Sequence, residues 1–253
     1  DGKTLATSSR DKTAKLWDVA TGTLRETITT EGNTVLRSSV YSVAFSPDGM
    51  TLAMGTSGDM LVFLCDVANG QIKRTLRGHT DRVLTLTYSQ DGSILASGSE
   101  DGPVKLWEAG SGKLLESLPT GFGRGGRFVS LSPDASALAT CDAAGVKIWP
   151  LKIPGVPRVH HLPPEGGSPW LVDFSSDGMS SVIATYEGQI EFHDSDTHEP
   201  LHPMSHDRLS TVALNDVGKL ILSTSYDGTV KLWNANSGEL LNTFEHEGSL
   251  EWC

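Results

Sequence analysis

Residues 78–118 read GHTDRVLTLTYSQDGSILASGSEDGPVKLWEAGSGKLLESL. In this stretch, four short runs rich in apolar or β-branched residues are separated by two Asp-Gly sequences and one Gly-Ser-Gly sequence. These turn residues accept the positive φ angles that tight hairpins require. The stretch therefore predicts a four-stranded antiparallel meander, with strands at 83–89, 94–99, 104–108 and 113–118.

Two landmarks of this unit recur along the chain with a shared period. The aspartate of the first turn recurs in steps of 47, 43, 43, 43 and 39 residues, at Asp1, Asp48, Asp91, Asp134, Asp177 and Asp216. The tryptophan position recurs in steps of 48, 42, 42, 44 and 40 residues, at Trp17, Cys65, Trp107, Trp149, His193 and Trp233. A period of about 40 to 45 residues with four strands per unit is typical of propeller blades. The units are expected to stack, because one meander cannot bury both of its faces alone.

The unit resembles one repeat of the WD-repeat β-propellers through Gly78-His79, the segment 97–101 and Trp107. Residues 15–18, KLWD, contain the Trp-Asp dipeptide itself, and the FSPDG turn at 45–49 resembles those of bacterial tandem WD repeats. The resemblance covers essentially the whole chain. It implies an all-β propeller of six visible four-stranded blades, of which the first lacks its inner strand unless the C-terminal strand closes it.

The blade boundaries follow from the repeat. One propeller domain over residues 1–253 is expected to contain blades at about 1–30, 38–78, 79–120, 126–164, 168–205 and 206–246. Residues 249–253 align with the start of an inner strand, so they are predicted to complete the first blade and close a six-bladed ring. The alternative is a fragment of a longer repeat protein, and we favour a fragment that forms a nearly closed ring.

A His-Ser-Asp-Trp hydrogen-bond chain typically holds each blade of WD-repeat proteins, and the resemblance implies such a tetrad here. A buried indole N–H and a buried carboxylate both need partners, so these residues are expected to be structural. The matching residues are His79, Ser97, Asp101 and Trp107 in the third unit, His206, Ser223, Asp227 and Trp233 in the sixth, and Thr7, Asp11 and Trp17 with His246 in the first.

The second, fourth and fifth units depart from this pattern. The second has Cys65 at the tryptophan position, the fourth has Ala143 at the aspartate position, and the fifth has His193 and Glu187 at these two positions. We expect these three blades to be held more by packing than by polar networks, and to be the looser half of the protein.

Composition excludes several kinds of partner. The net charge of -11 argues against a nucleic-acid partner, because phosphate backbones require clustered Lys and Arg. No run approaches the ~18 apolar residues of a membrane span, so no membrane partner is expected. Cys65, Cys141 and Cys253 show no metal-ligand spacing and fall in predicted strands, which favours reduced thiols in a cytoplasmic protein.

Two motifs match a nucleotide-binding loop and a metal site, but the residues around them argue against both functions. Residues 121–126, GFGRGG, match G-x-G-x-x-G, but a strand and not a helix follows them, so no helix N-terminus is available for a phosphate. His198, His202 and His206 have the spacing of metal ligands on a helix, but two intervening prolines break any helix there. We therefore expect no cofactor and no metal, and we predict no catalytic residue.

Two positions per blade contact partners on the top face of WD-repeat propellers. The first, just before the tetrad aspartate, is implied at Arg10, Gly58, Glu100, Asp142, Tyr186 and Tyr226. The second, near the start of the inner strand, is implied at Tyr41, Leu84, Arg127, Trp170, Ser210 and Glu251. Tyr, Trp and Arg are strongly enriched in interface hot spots. The predicted partner-binding residues are Arg10, Tyr41, Glu100, Arg127, Trp170, Tyr186 and Tyr226.

The function that these observations favour is a non-catalytic scaffold that binds a protein or peptide on the top face. One alternative is a regulatory or sensory propeller domain fused to a catalytic domain such as a kinase. A further alternative is a propeller hydrolase or lyase with a site at the channel mouth.

Overall fold

The computed structural model describes residues 2–29, 38–100, 102–119, 128–142, 145–151, 160–162, 167–194, 200–215 and 219–245. Within these ranges the chain forms twenty-three β-strands and no helix. Two compact units divide the chain, residues 1–127 and residues 128–253.

The first unit contains three antiparallel sheets whose strands pair in chain order. The first sheet has three strands in the described residues: β1 (Thr4–Ser8), β2 (Ala14–Asp18) and β3 (Leu24–Ile28). The second sheet has four: β4 (Val40–Phe45), β5 (Thr51–Thr56), β6 (Val62–Asp66) and β7 (Ile72–Leu76). The third sheet also has four: β8 (Val83–Tyr88), β9 (Ile94–Ser99), β10 (Val104–Glu108) and β11 (Leu114–Leu118).

The second unit contains three four-stranded antiparallel sheets of the same kind. The fourth sheet comprises β12 (Val129–Leu131), β13 (Ala137–Asp142), β14 (Gly145–Pro150) and β15 (His160–Leu162). The fifth comprises β16 (Pro169–Phe174), β17 (Ser180–Thr185), β18 (Gln189–Asp194) and β19 (Pro200–Ser205). The sixth comprises β20 (Leu209–Leu214), β21 (Leu220–Ser225), β22 (Thr229–Asn234) and β23 (Leu240–Glu245).

These sheets confirm the predicted all-β fold class, including the first sheet without an inner strand in the described residues. Each predicted blade range contains one sheet, and the four strands predicted within residues 78–118 agree with the observed bounds to within one residue. The predicted closing strand at 249–253 lies outside the described residues. Its pairing with the first blade, and the single closed ring, stay predictions.

The turn between the first two strands of a sheet is held by a serine and the aspartate two residues later. In the third sheet, Ser89 Oγ donates a hydrogen bond of 2.6 Å to Asp91 Oδ1, and Ser93 N donates one of 3.0 Å to the same oxygen. The Ser89 hydroxyl is the main cause that lowers the pKa of Asp91 to about 2. The same serine-to-aspartate bond recurs in three other sheets, from Ser46 to Asp48, Ser132 to Asp134 and Ser175 to Asp177.

The residue after that aspartate has a left-handed backbone, which explains why glycine follows it in most units. Gly92 has a φ of 70°. The fourth unit has Ala135 at this position, and its φ is 51°, so the turn keeps its geometry without the glycine. The loss of the Gly in Asp134-Ala135 therefore does not change the meander.

The hydrophobic core lies between neighbouring sheets of a unit. In the first unit, Ala53, Val62 and Leu64 of the second sheet pack against Val83 and Trp107 of the third. In the second unit, Ala139 and Cys141 of the fourth sheet pack against Val172 and Ile183 of the fifth. The other face of the second sheet packs against the first sheet through Leu52 and Met54, so both faces of this middle sheet are covered, as expected of stacked meanders.

The described part of the chain holds no helix with the length and apolar character needed to cross a membrane.

Candidate partner-binding site

The third sheet contains most of the predicted tetrad as a buried hydrogen-bond chain. Trp107 Nε1 donates to Ser97 Oγ over 2.8 Å, and His79 Nε2 lies 2.7 Å from the same hydroxyl oxygen. All three side chains are buried, and the His79 and Trp107 rings meet edge to face with centroids 6.4 Å apart. Asp101 lies outside the described residues. The serine hydroxyl is the common partner that joins the indole to the imidazole.

The sixth sheet contains a longer chain, with a threonine between the aspartate and the histidine. Trp233 Nε1 donates to Ser223 Oγ over 2.8 Å, and Ser223 Oγ lies 2.8 Å from His206 Nδ1. On the other side of the ring, His206 Nε2 lies 2.7 Å from Thr229 Oγ1, which donates to Asp227 Oδ1 over 2.7 Å. His206 Nε2 is 4.0 Å from Asp227 Oδ1, so the threonine hydroxyl bridges the two.

These bonds favour a neutral His206. The Thr229 hydroxyl already donates its hydrogen to Asp227, so it accepts from an Nε2–H of His206. The Ser223 hydroxyl accepts from the Trp233 indole and keeps its own hydrogen, which it can donate to an unprotonated Nδ1. Burial, followed by the charge of Lys231, lowers the pKa of His206, which agrees with this arrangement.

The first and fourth sheets keep only the tryptophan end of the chain in the described residues. Trp17 Nε1 donates to Thr7 Oγ1 over 3.0 Å, and Trp149 Nε1 donates to Thr140 Oγ1 over 3.0 Å. A threonine hydroxyl thus takes the role of the serine in both. Asp11 accepts from Thr13 N and Thr13 Oγ1, and the predicted histidine partner in the first blade, His246, lies outside the described residues.

The second sheet replaces the network with apolar side chains. The strand register places Met54 where the third sheet has Ser97, and Cys65 where it has Trp107. Met54, Phe63 and Cys65 are each at most 1 % exposed and pack with Ala14, Leu16 and Ile28 of the first sheet. Burial raises the pKa of Cys65 to about 12, so the thiol stays protonated. Asp59 is bound instead by Ser38, whose Oγ donates to Asp59 Oδ2 over 2.9 Å.

The fifth sheet replaces the network with a different polar pair. The register places Ile183 at the serine position, and Glu191 and His193 on the neighbouring strand. His193 Nε2 lies 3.1 Å from Glu191 Oε2, and both residues are buried. The second sheet therefore combines an apolar core with a Ser38–Asp59 bond, whereas the fourth keeps an indole bond and the fifth has a new buried pair.

The predicted inner-strand contact residues share an unexpected local structure. In four sheets the register shifts by one residue at the start of the inner strand, so that one residue of this strand has no partner opposite it. A β-bulge of this kind bends a strand and re-aims a side chain. The bulged residues are Tyr41, Leu84, Trp170 and Ser210, all of them positions that the family resemblance implies.

The predicted turn residues lie at the same edge of each sheet as the bulges. A backbone hydrogen bond joins the turn to the residue that precedes the inner strand, from Glu100 N to Arg82 O, from Tyr186 N to Ser168 O and from Tyr226 N to Arg208 O. We call this arrangement the bulge–turn edge of a sheet. It consists of the bulged residue, the turn residue and the residue that accepts the turn's N–H.

The second sheet corrects one residue assignment. Ser57 N donates to Ser39 O, the same bond that Glu100 makes in the third sheet, so Ser57 and not Gly58 occupies the turn position. The turn from Thr56 to Asp59 is one residue longer than the turn from Ser99 to Asp101. This extra residue indicates in the sequence that the turn position lies two residues before Asp59. An alignment on the aspartate alone places it one residue too late.

In the first unit, the bulge–turn edges combine charged and aromatic side chains. Arg10 and Glu100 are exposed, and Tyr41 and Leu84 are half-buried. Arg82 Nε lies 3.9 Å from Glu100 Oε2, so the third sheet pairs the two charges of its edge with each other. The backbone carbonyl of Arg10 accepts a hydrogen bond of 3.1 Å from Ser39 Oγ.

In the second unit, the bulge–turn edges are aromatic. Tyr186 is 60 % exposed and Tyr226 is 38 % exposed, whereas Trp170 is only 6 % exposed. Trp170 Nε1 donates to Thr185 O over 3.1 Å, and its ring centroid lies 6.2 Å from that of Tyr186 and 5.4 Å from that of Phe128. Trp170 therefore supports Tyr186 from below and offers little surface of its own. Arg127, the remaining predicted contact residue, lies outside the described residues.

Metal ligands do not cluster in the described part of the chain: no group of three or more His, Cys, Asp or Glu side chains is placed to hold an ion. His202 lies on the outer strand β19, while His206 takes part in the tetrad chain of the sixth sheet. Cys65 and Cys141 are both buried.

Six antiparallel meanders with recurrent indole-to-hydroxyl bonds define a repeat protein of the propeller class. The model of the family described as "WD domain, G-beta repeat" matches residues 1–18, 25–66, 70–108 and 199–234, more than half of the chain. The chain therefore belongs to the WD-repeat family. The unmatched stretch between residues 108 and 199 contains β11, the fourth sheet and the first three strands of the fifth sheet.

Several curated proteins are similar to the chain over long stretches. The small ribosomal subunit protein RACK1 of Caenorhabditis elegans is 32% identical over 157 residues, 60% of this chain and 46% of the relative. The angio-associated migratory cell protein of Homo sapiens is 27% identical over 83% of this chain and 48% of the relative. Periodic tryptophan protein 2 of Arabidopsis thaliana is 29% identical over 81% of this chain and 23% of the relative. The chain thus spans about half the length of these relatives or less.

Proposed function

We propose that the chain is a non-catalytic scaffold that binds a protein or a peptide through its bulge–turn edges, which form the top face of the propeller. The observation that carries this proposal is the repeated bulge at the start of the inner strand in four sheets. A bulge interrupts the ladder and bends the strand beside the turn. Tyr41 and Leu84 are half-buried there, and Trp170 and Ser210 are buried, so the exposed side chains of these edges include those of the turns but not those of the bulges.

The side chains at these edges suit protein recognition. Tyr41, Tyr186, Tyr226 and Arg10 belong to residue types that dominate interface hot spots, because they offer a large apolar surface together with a polar group. Tyr186 is well exposed, and Tyr226 exposes 38 % of its surface. An exposed aromatic pair on rigid sheets can contact a partner at a low entropic cost.

The relatives agree with a role in assemblies. The nematode relative is named as a protein of the small ribosomal subunit, and Xenopus tropicalis intraflagellar transport protein 122 homolog is 33% identical over 45% of this chain. These names describe those proteins. For this chain, we propose a protein or peptide partner and a cytoplasmic location. The relatives extend well beyond the matched stretch, so their own partners are not assigned to this chain.

The experiment that tests this proposal is affinity capture from cells of the source organism, compared quantitatively among three versions of the chain. The site variant is Tyr186→Ala with Tyr226→Ala, and the control variant is Leu115→Ala with Leu241→Ala on the outer strands, where both leucines are about half exposed. We expect the wild type and the control variant to capture the same protein and the site variant to lose it.

The captured protein is then purified and its affinity is measured by calorimetry. Loss of one hot-spot tyrosine costs about 2 kcal/mol, so the affinity is expected to fall about 30-fold for each substitution. If the site variant binds as tightly as the wild type, or if only the outer-strand variant loses the partner, the proposed site is wrong.

A further inference from the structure

The Tyr186 ring is held at the surface by a stack of two buried or half-buried rings. Trp170 lies beneath it at 6.2 Å with a tilt of 37°, and Phe128 meets Trp170 edge to face at 5.4 Å. The hydrogen bond from Trp170 Nε1 to Thr185 O fixes the middle ring. The ring of Tyr186 is therefore supported on one side, while 60 % of the residue stays open to solvent.

The equivalent turns of the third and sixth sheets have an arginine of their own. Glu100 donates its backbone N–H to the carbonyl of Arg82, whose side chain also pairs with the Glu100 carboxylate. Tyr226 donates its N–H to the carbonyl of Arg208 in the same way. Tyr186 donates its N–H to Ser168, which has no charge. Of these three turns, the fifth sheet's turn is the one without an arginine at its edge.

The residue after Tyr186 brings a carboxylate to the same bulge–turn edge. Glu187 follows Tyr186 directly, and its Oε2 accepts a hydrogen bond of 3.0 Å from Ser168 N. The carboxylate packs so closely on Gly167 that a Cβ at this position would overlap it. In the sixth sheet, the acidic residue at the same position, Asp227, is bound by Thr229 of its own tetrad chain. In the fifth sheet the acid is directed to the bulge–turn edge instead.

We propose that Tyr186 and Glu187 form a receptor for a guanidinium group, so that an arginine of the bound protein or peptide replaces the one that the fifth sheet lacks. An arginine side chain stacks its plane on an aromatic face and directs its N–H groups to a carboxylate at the same time. The net charge of the chain, -11, also favours a cationic ligand. This inference rests on the proposed function, because it names the chemistry that the same site recognises.

Fluorine NMR of the chain labelled with 3-fluorotyrosine tests this proposal without any protein partner. The chain has four tyrosines, so four signals are expected, and single Tyr→Phe variants assign them. The probes are three blocked tripeptides, acetyl-Gly-Xaa-Gly-amide, in which Xaa is arginine, lysine or citrulline. We expect the arginine peptide to shift the Tyr186 signal most and the citrulline peptide, which is uncharged but of similar shape, to shift it least.

Matched variants locate the receptor. Glu187→Gln is expected to weaken the arginine peptide about two- to five-fold, as is Tyr186→Leu, whose binding is followed through the indole resonance of Trp170. Leu241→Ala, on the outer strand of the sixth sheet, is expected to leave the affinity unchanged. An equal response to the citrulline peptide, or a shift confined to Tyr41 or Tyr226, overturns the guanidinium receptor.

The two proposals fail separately. If the captured protein still depends on Tyr186 but the peptides show no preference for arginine, the scaffold proposal stands and the guanidinium receptor falls. If the arginine peptide binds at Tyr186 but the Tyr186 and Tyr226 variants capture the same proteins as the wild type, the receptor stands and the scaffold proposal falls.

Discussion

The third and fifth sheets have the same strand register but differ in most of the side chains that the register places. The third joins His79, Ser97 and Trp107 in a buried chain, whereas the fifth has Ile183 and a Glu191–His193 pair at the corresponding places. At its edge, the third sheet neutralises Glu100 with Arg82, whereas the fifth exposes Tyr186 above Trp170. The backbone framework therefore tolerates very different interiors, and the edge chemistry varies with equal freedom.

The largest loss of stability is expected when the tryptophan of the third sheet, which the fifth sheet lacks, is replaced by alanine. Trp107→Ala removes a ring that is 2 % exposed and leaves the Ser97 hydroxyl and the His79 ring without their neighbour. The loss of packing and the cavity should lower the free energy of unfolding by about 3 to 5 kcal/mol, measured by urea denaturation. A loss below ~1 kcal/mol would contradict the tetrad's role in holding the blade.

The next effect concerns the position where the sheets differ most, serine against isoleucine. Ser97→Ala leaves a buried indole N–H without its acceptor, so the free energy of unfolding should fall by about 1 to 3 kcal/mol. The control is Ile183→Val in the fifth sheet, which removes one buried methylene and should cost about 0.5 to 1.5 kcal/mol. The idea of a shared hydroxyl partner fails if Ser97→Ala leaves both stability and Trp107 indole exchange unchanged.

A pH dependence of intermediate size is expected from the sixth sheet. Its His206 has a pKa that burial lowers below the ordinary value of 6.5, so the unfolded chain binds a proton more readily than the folded one. Stability from this group is present above the unfolded pKa and falls as the pH decreases below about 6.5, because burial and the charge of Lys231 disfavour the protonated ring in the folded chain.

Urea denaturation between pH 7.5 and pH 5 measures this loss, and the variant His206→Gln should flatten the profile. If wild type and variant lose stability equally across this range, His206 is not the group responsible for the loss. The aspartates of the Ser-Asp turns do not interfere, since hydrogen bonds from their serines lower their pKa values from 3.8. The stability that these aspartates contribute is lost only as the pH falls below about 3.8.

The smallest effect is expected at the edge of the third sheet. Arg82 and Glu100 form an exposed pair at 3.9 Å, and such pairs contribute about 0 to 1 kcal/mol. Glu100→Gln should therefore change the free energy of unfolding by less than about 1 kcal/mol. A much larger loss would mean that this edge is part of the structural framework and not a surface free to vary for recognition.

The sequence predicted the meander well because its signals are local. The Asp-Gly and Ser-Gly pairs mark the turns between strands. The apolar residues in the runs between them indicate which faces are buried. The structural role of Trp107 and Trp233 is implied by the family resemblance, and a buried indole needs a hydrogen-bond partner. The family model and the sheets confirm the meander.

The parts that the sequence did not predict depend on geometry between strands. The Thr229 bridge between Asp227 and His206 requires the ring orientation, and the replacement of the serine position by Met54 or Ile183 requires the exact pairing of two strands. The bulges at Tyr41 and Trp170 leave no composition signal, because a bulge is one extra residue in an otherwise ordinary strand. The support of Tyr186 by Trp170 is likewise a contact between residues sixteen positions apart.

Hydrogen–deuterium exchange of the chain, with and without the captured protein, tests the central claim that the bulge–turn edges bind the partner. The account predicts slower exchange in peptides that contain the bulges and turns at 38–42, 168–171, 185–188 and 208–228, with the outer strands β11 and β23 unchanged. Protection confined to β11 and β23, with none at the bulges and turns, would contradict it.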